Sequence, residues 1–84
     1  MNLEYTEEAA AKIRKACSKN RELENALQKK IAFILENPEH SKPLKNELAG
    51  QRRVHILKSF VLIYTVQKET VYVVDFDHHD NVYG

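Results

Sequence analysis

With 84 residues, 43% of them hydrophobic and 30% charged, the chain has the composition of one small soluble globular domain and leaves no room for a second. Its 13 Lys and Arg against 12 Asp and Glu give a net charge of +1, which argues against a uniformly basic nucleic-acid binder. The single cysteine, Cys17, excludes an internal disulfide, and the lack of a long apolar run or a signal peptide leads us to expect a cytoplasmic protein with no membrane partner.

From the N-terminus, Leu3 and Tyr5 alternate with Asn2 and Glu4, which suits a short first strand. Thr6 is the expected N-cap of a helix whose first turn carries Glu7 and Glu8, where acidic side chains favour the helix dipole. Ala9, Ile13, Ala16 and Cys17 follow at helical spacing, with Asn20 as the stop. In that stripe Cys17 reads as a small buried hydrophobe rather than a reactive thiol. A second helix runs from about Arg21 to Glu36, its stripe made of Leu23, Ala26, Leu27, Ile31, Ile34 and Leu35. Asn37-Pro38 ends it, because the residue before a proline avoids helical geometry. The short join predicts an antiparallel helical hairpin, and the helix cations (Lys12, Arg14, Lys15, Lys19, Lys29 and Lys30) read as a solvated face.

Residues 37–51 form a polar loop, in which His40 reads as exposed and incidental. Three strands are predicted after it, at about 52–58, 60–67 and 70–76, with short turns near Lys58–Ser59 and Gln67–Glu69, so an antiparallel meander is expected. The segment from Phe60 to Val66 is apolar on nearly both faces and should be central. In the strand before it, Val54 and Ile56 point towards the helical hairpin, which leaves Arg53 and His55 on the open face. Tyr5, Tyr64 and Tyr72 read as sheet residues. The expected fold class is α+β, a helical hairpin on a small, mainly antiparallel sheet.

Charge is unevenly distributed. Residues 40–58 carry Lys42, Lys45, Arg52, Arg53 and Lys58 against Glu47, whereas residues 71–84 carry Asp75, Asp77 and Asp80 with no Lys or Arg. His78 and His79 sit in that acidic end, and His55 lies in the basic middle. Imidazole titrates near neutrality, so histidines gathered beside a basic loop can move protons next to a bound polyanion. That combination points to chemistry on RNA. The competing reading of Asp75, Asp77, His78 and His79 is a divalent-metal site, for which the sequence supplies no well-spaced third ligand elsewhere.

The order strand, helical hairpin, three-stranded meander resembles the RelE/ParE superfamily of toxins. More narrowly, the stretch from Lys42 to Gly84 resembles the YafQ branch: Lys42-Pro43-Leu44-Lys45 opens the loop, Gly50-x-Arg52-x-x-His55 enters a strand, Leu62-Ile63-Tyr64 lies in the central strand, and His79-x-x-x-Tyr83-Gly84 closes the chain. The motifs cover about half the chain, and the element order covers all of it. The resemblance implies a β-α-α-β-β-β fold and the toxin of a type II toxin–antitoxin pair. Its activity would be that of a ribosome-dependent endoribonuclease that cleaves messenger RNA without a metal or other cofactor. The 2′-hydroxyl would attack its own phosphodiester, and a cognate antitoxin would hold the toxin inactive in a heteromeric complex.

The resemblance also assigns roles. His79 would be the principal catalytic imidazole, His55 a second, and Tyr83 an aromatic that stacks on a base or orients the phosphate. His78, next to His79, is a further candidate. Lys42, Lys45, Arg52, Arg53 and Lys58 would contact RNA phosphate, and Phe60 would be an aromatic near the groove. Ser59 stands where the YafQ pattern has an acidic residue, Asp75 where it has an arginine, and Val61 where other RelE branches have a catalytic arginine. Asp75, Asp77 and Asp80 would repel phosphate, so those departures leave two expectations: either His79 and the loop cations carry most of the work, or this member is slow or altered. Two alternatives share the fold: a ParE-like toxin that inhibits DNA gyrase without cutting RNA, and a degenerate member that only binds its antitoxin.

Overall fold

A computed structural model describes residues 1–38 and 50–83. In chain order the elements are β1 (Asn2–Tyr5), α1 (Glu7–Cys17), α2 (Arg21–Glu36), β2 (Gln51–Ile56), β3 (Phe60–Gln67), β4 (Thr70–His78) and α3 (His79–Tyr83). His40, Lys42 and Lys45 lie outside the described residues, as do the side chain of Tyr83 and all of Gly84. The strands form a single sheet in the order β1-β4-β3-β2. β1 runs parallel to β4, and the other two pairings are antiparallel. The α+β class and mainly antiparallel sheet expected from the sequence are therefore present.

Local chemistry sets the helix ends. Thr6 is extended at φ −70° and ψ 158°, and its Oγ1 accepts from the Ala9 amide at 3.0 Å, satisfying a donor that the first turn cannot pair internally. The same hydroxyl donates to the Val74 carbonyl at 3.2 Å, and the Thr6 amide donates to the Val73 carbonyl at 3.0 Å. Thr6 thus ties the end of β1 and the start of α1 to β4. Thr6→Ala should cost about 0.5–2 kcal/mol of unfolding free energy, read by urea denaturation, whereas Thr6→Ser should cost much less because it keeps the oxygen. Asn20, expected as a stop for α1, in fact caps α2: its Oδ1 accepts from the Leu23 amide at 3.0 Å.

The core lies between the helices and one face of the sheet. Leu23, Leu27, Ile31 and Ile34 repeat every three or four residues along α2 and are buried. They meet Ile56, Leu62, Tyr64, Val71, Val73 and Phe76 from the strands, with Ala9 from α1. Tyr64 is fully buried, and its hydroxyl donates to the Pro38 carbonyl at 3.2 Å, so a polar atom in the core is satisfied. Phe60 stacks on Phe76 with ring centroids 5.5 Å apart and planes 5° from parallel.

Three sequence expectations need correction. β2 ends at Ile56 rather than near Lys58, because Leu57 adopts a left-handed φ of 56° that breaks the ladder and starts the turn into β3. β4 runs to His78, beyond the expected residue 76, and the chain then turns at once into α3, a helix not foreseen from the sequence. The sheet face away from α1 and α2 is not simply open, since Val61 is 0% and Ile63 8% exposed. A strand apolar on both faces needs cover on both, and α3 packs against β3 and β4 to supply part of it.

Candidate active site

The candidate site grows from β2 and from the junction of β4 and α3. Arg53 and His55 stand on the distal face, opposite Ile63 and Val61 of β3, and Val61 in turn stands opposite Asp77 of β4. The amide of His79 donates to the Ser59 carbonyl at 2.6 Å, pinning the first residue of α3 to the β2–β3 turn. That bond carries the His79 ring over the sheet to His55. The two ring centroids lie 5.5 Å apart with planes tilted by 30°. His55 is exposed and His79 half-buried, with its Nδ1 3.7 Å from Asp80 Oδ1. Lys58 lies exposed in the same turn whose carbonyl holds His79.

Other candidates lie elsewhere. Alternation along β2 turns Arg52 to the helix side, opposite Tyr64, so it does not share a face with His55. Phe60 likewise lies on the helix side, opposite His78, and its stacking on Phe76 makes it a lining residue of the core rather than of the histidine face. The His78 ring meets Phe60 edge-on at 5.5 Å, and together with Lys12, Lys15, Ala16, Phe76 and Asp77 these two residues line a cavity of about 460 Å³ beside α1. His78 Nδ1 accepts from the Asp80 amide at 3.3 Å. His78 and His79 therefore face apart, and His79 is the one that joins His55.

The acidic end is held differently from the sequence expectation. Lys12 was expected on a solvated face, but its Nζ lies 3.1 Å from Asp75 Oδ1, 3.3 Å from Asp77 Oδ2 and 3.2 Å from Glu8 Oε1. Asp75 and Asp77 are thus paired with an ammonium at the edge of the sheet instead of acting as free repulsive charges. The bond to Asp75 above all, helped by Glu8 and Asp77 and opposed by burial, holds Lys12 above the ordinary lysine range. Asp77 is held below the ordinary carboxylate range, first by the Asn81 amide, then by the His78 amide and Lys12, against the opposing effect of desolvation. Only the apolar stretches on either side were legible in sequence; the pairing of Lys12 with residues more than sixty positions away left no local signal. Among the described residues no group of three or more ligating side chains could hold a metal ion.

The shifts fix the direction of a pH effect. A depressed Asp77 contributes stability above its unfolded value of about 3.9, and that contribution disappears as pH falls through the lower folded value. A raised Lys12 contributes below about 10.4 and loses its contribution as pH rises through the higher folded value. Stability from this cluster should therefore be level between about pH 5 and 10. In urea titrations below pH 4, Asp77→Asn should show a smaller further loss of midpoint than the unmodified chain.

The profile described as "ParE toxin of type II toxin-antitoxin system, parDE" matches residues 3–83, nearly the full chain. The chain belongs to the ParE toxin family of type II toxin–antitoxin systems. The "Putative toxin RelE4" of Methanocaldococcus jannaschii is 45% identical over 73 residues, covering 84% of this chain and 78% of that protein. Among solved structures, the YoeB/ParE toxin from Agrobacterium tumefaciens superposes with a TM-score of 0.85 at 18% identity, covering 94% of this toxin and 99% of that chain. A chain of the E. coli DinJ-YafQ toxin–antitoxin complex gives 0.79 at 19% identity, covering 99% of this toxin and 97% of that chain. At those identities the structural likeness speaks for the fold, and the RelE/ParE placement drawn from the sequence holds. No helix among the described residues of the toxin is long and apolar enough to cross a membrane.

Proposed function

We propose that this toxin is a YafQ-like, ribosome-dependent endoribonuclease that cleaves messenger RNA by metal-independent attack of the 2′-hydroxyl, and that a cognate antitoxin holds it inactive in the cytoplasm. The observation that carries the reading is the pairing of His55 and His79 at 5.5 Å on the distal sheet face that Arg53 shares. In the reaction the 2′-oxygen forms a bond to phosphorus as the bond from phosphorus to the 5′-oxygen breaks, leaving a cyclic phosphate and a free 5′-hydroxyl. One imidazole, neutral, takes the 2′-hydroxyl proton, and the other, protonated, delivers a proton to the leaving oxygen. Each turnover leaves the two rings in exchanged protonation states, and proton exchange with solvent restores them. Arg53, with Lys58 in the adjoining turn, supports the extra charge on phosphate, since a guanidinium fork matches paired oxygens. Tyr83, Lys42 and Lys45 complete the proposed RNA contacts.

The antitoxin reading draws on the family itself and on the solved DinJ-YafQ complex, one chain of which has the fold of this toxin. An acidic, partly disordered partner that folds on binding would suit the cations of the histidine face. A second reading, inhibition of DNA gyrase without RNA cleavage, is favoured by the match to the ParE profile and by the net charge of +1. Induced expression of the unmodified toxin and of His79→Ala separates the two. The nuclease reading expects growth arrest with new 5′ ends inside messages, and recovery of both for the variant. Gyrase-linked DNA breaks with intact messages would instead establish the second reading.

A further inference from the structure

We infer that Lys12, Asp77 and Asn81 form a strut that sets His79 against His55, which makes Lys12 a positioning residue for the cleavage proposed above and rests on that reading of the histidine pair. α3 has five residues, too few for a helix to hold its own direction. Its placement depends on bonds at its first turn. Asn81 Nδ2 donates to Asp77 Oδ1 at 2.9 Å, and the same oxygen accepts from the His78 amide at 2.7 Å. The other carboxylate oxygen of Asp77 lies 3.3 Å from Lys12 Nζ. The chain of contacts therefore runs from α1 through Lys12 and Asp77 to Asn81, while the His79 amide is fixed to Ser59 on the other side. His79 is clamped between the two.

The topology explains why this cation matters. β1 pairs with β4 from Thr70 to Val73, and among the described residues no strand lies on that side of β4 from Val74 onward. α1 lies along that edge, where Thr6 bonds to the Val74 carbonyl and Lys12 adds the ion pairs beyond it, at Asp75 and Asp77. Three carboxylates, from Glu8, Asp75 and Asp77, converge on the one ammonium. Removing it deletes three attractions and also leaves like charges facing one another at the root of α3, which pushes the end of β4 away from α1. Lys12 and Asp77 side chains are 35% and 30% exposed, so solvent weakens the pairing without abolishing it.

Lys12→Met, Lys12→Arg and Asn81→Ala in the full chain test the strut. The readouts are the proton–proton Overhauser contact between the His55 and His79 rings, and kcat and KM for message cleavage on ribosomes. Folded Lys12→Met and Asn81→Ala should lose most of the ring contact and drop in kcat by on the order of 10- to 100-fold at nearly constant KM, with Lys12→Arg restoring both. A folded Lys12→Met that keeps the full ring contact overturns the inference, as does a fall in kcat with that contact intact. If Lys12→Met does not fold, Asn81→Ala, an exposed residue, decides in the same way. Loss of the ring contact in a toxin whose unmodified form cuts no message would uphold the strut and refute the nuclease reading instead.

Discussion

His79→Ala and His55→Ala should each lower the rate of message cleavage by about 100- to 10,000-fold, the range typical of removing a positioned general acid or base. The double variant should be little worse than the more damaged single one, because two groups that pass protons in one step do not contribute independently. The pH–rate profile of the unmodified toxin should be bell-shaped, since the chemistry needs one imidazole neutral and its neighbour protonated. Each single variant should lose one limb of the bell. Additive single and double effects, or a bell unchanged in either variant, would mean that the rings 5.5 Å apart do not act as a pair. His78→Ala gives the internal contrast, because that ring lies against Phe60 on the other side of the sheet and should leave the profile unchanged.

The second large effect lies in the core beneath the site. Phe76 is 1% exposed and stacks on Phe60 at 5.5 Å. Phe76→Ala should cost about 3–5 kcal/mol through lost transfer free energy and the cavity left behind. A domain of this length has roughly 4–13 kcal/mol in all, so the variant should be marginal or unfolded at 37 °C. Tyr72→Ala, at a position 37% exposed, should cost far less. Urea denaturation in a His79→Ala background, which spares the expression host, measures both.

The parts of the fold that repeat locally were legible in the sequence. The stripe from Leu23 to Ile34 gave α2 almost to the residue, and Thr6 before Glu7 and Glu8 gave the start of α1. The run from Phe60 to Val66, apolar on nearly both faces, placed β3 inside the sheet. What escaped depends on contacts distant in sequence or on single dihedral angles. α3 is shorter than any periodic window, and it is held by Asp77, Asn81 and Ser59 rather than by its own pattern. The turn near Lys58–Ser59 was expected, but with no glycine at Leu57 its φ of 56° and the earlier end of β2 were not. Lys12 looked like one more solvated helix cation because its partners Asp75 and Asp77 lie at the far end of the chain.

The candidate site divides along the same line. Alternation in β2 put Arg53 and His55 on the face away from the helices, and the fold keeps them there. Alternation also explains why Arg52 and Phe60 do not join them, since each sits one residue out of phase with that face. The choice between His78 and His79 turned on where β4 ends and α3 begins, and that boundary left no mark in the composition of the segment.

The most direct measurement is end-group analysis of a defined message incubated with purified toxin and ribosomes, with a single 2′-deoxy nucleotide placed at the preferred cut. The account predicts fragments bearing cyclic phosphate and 5′-hydroxyl ends from the all-ribose message. It also predicts no cut at the deoxy position and cutting slowed at least about 100-fold with His79→Ala. Cutting that persists at the deoxy position or at the unmodified rate in His79→Ala, or an intact all-ribose message beside a fully toxic protein, would contradict it.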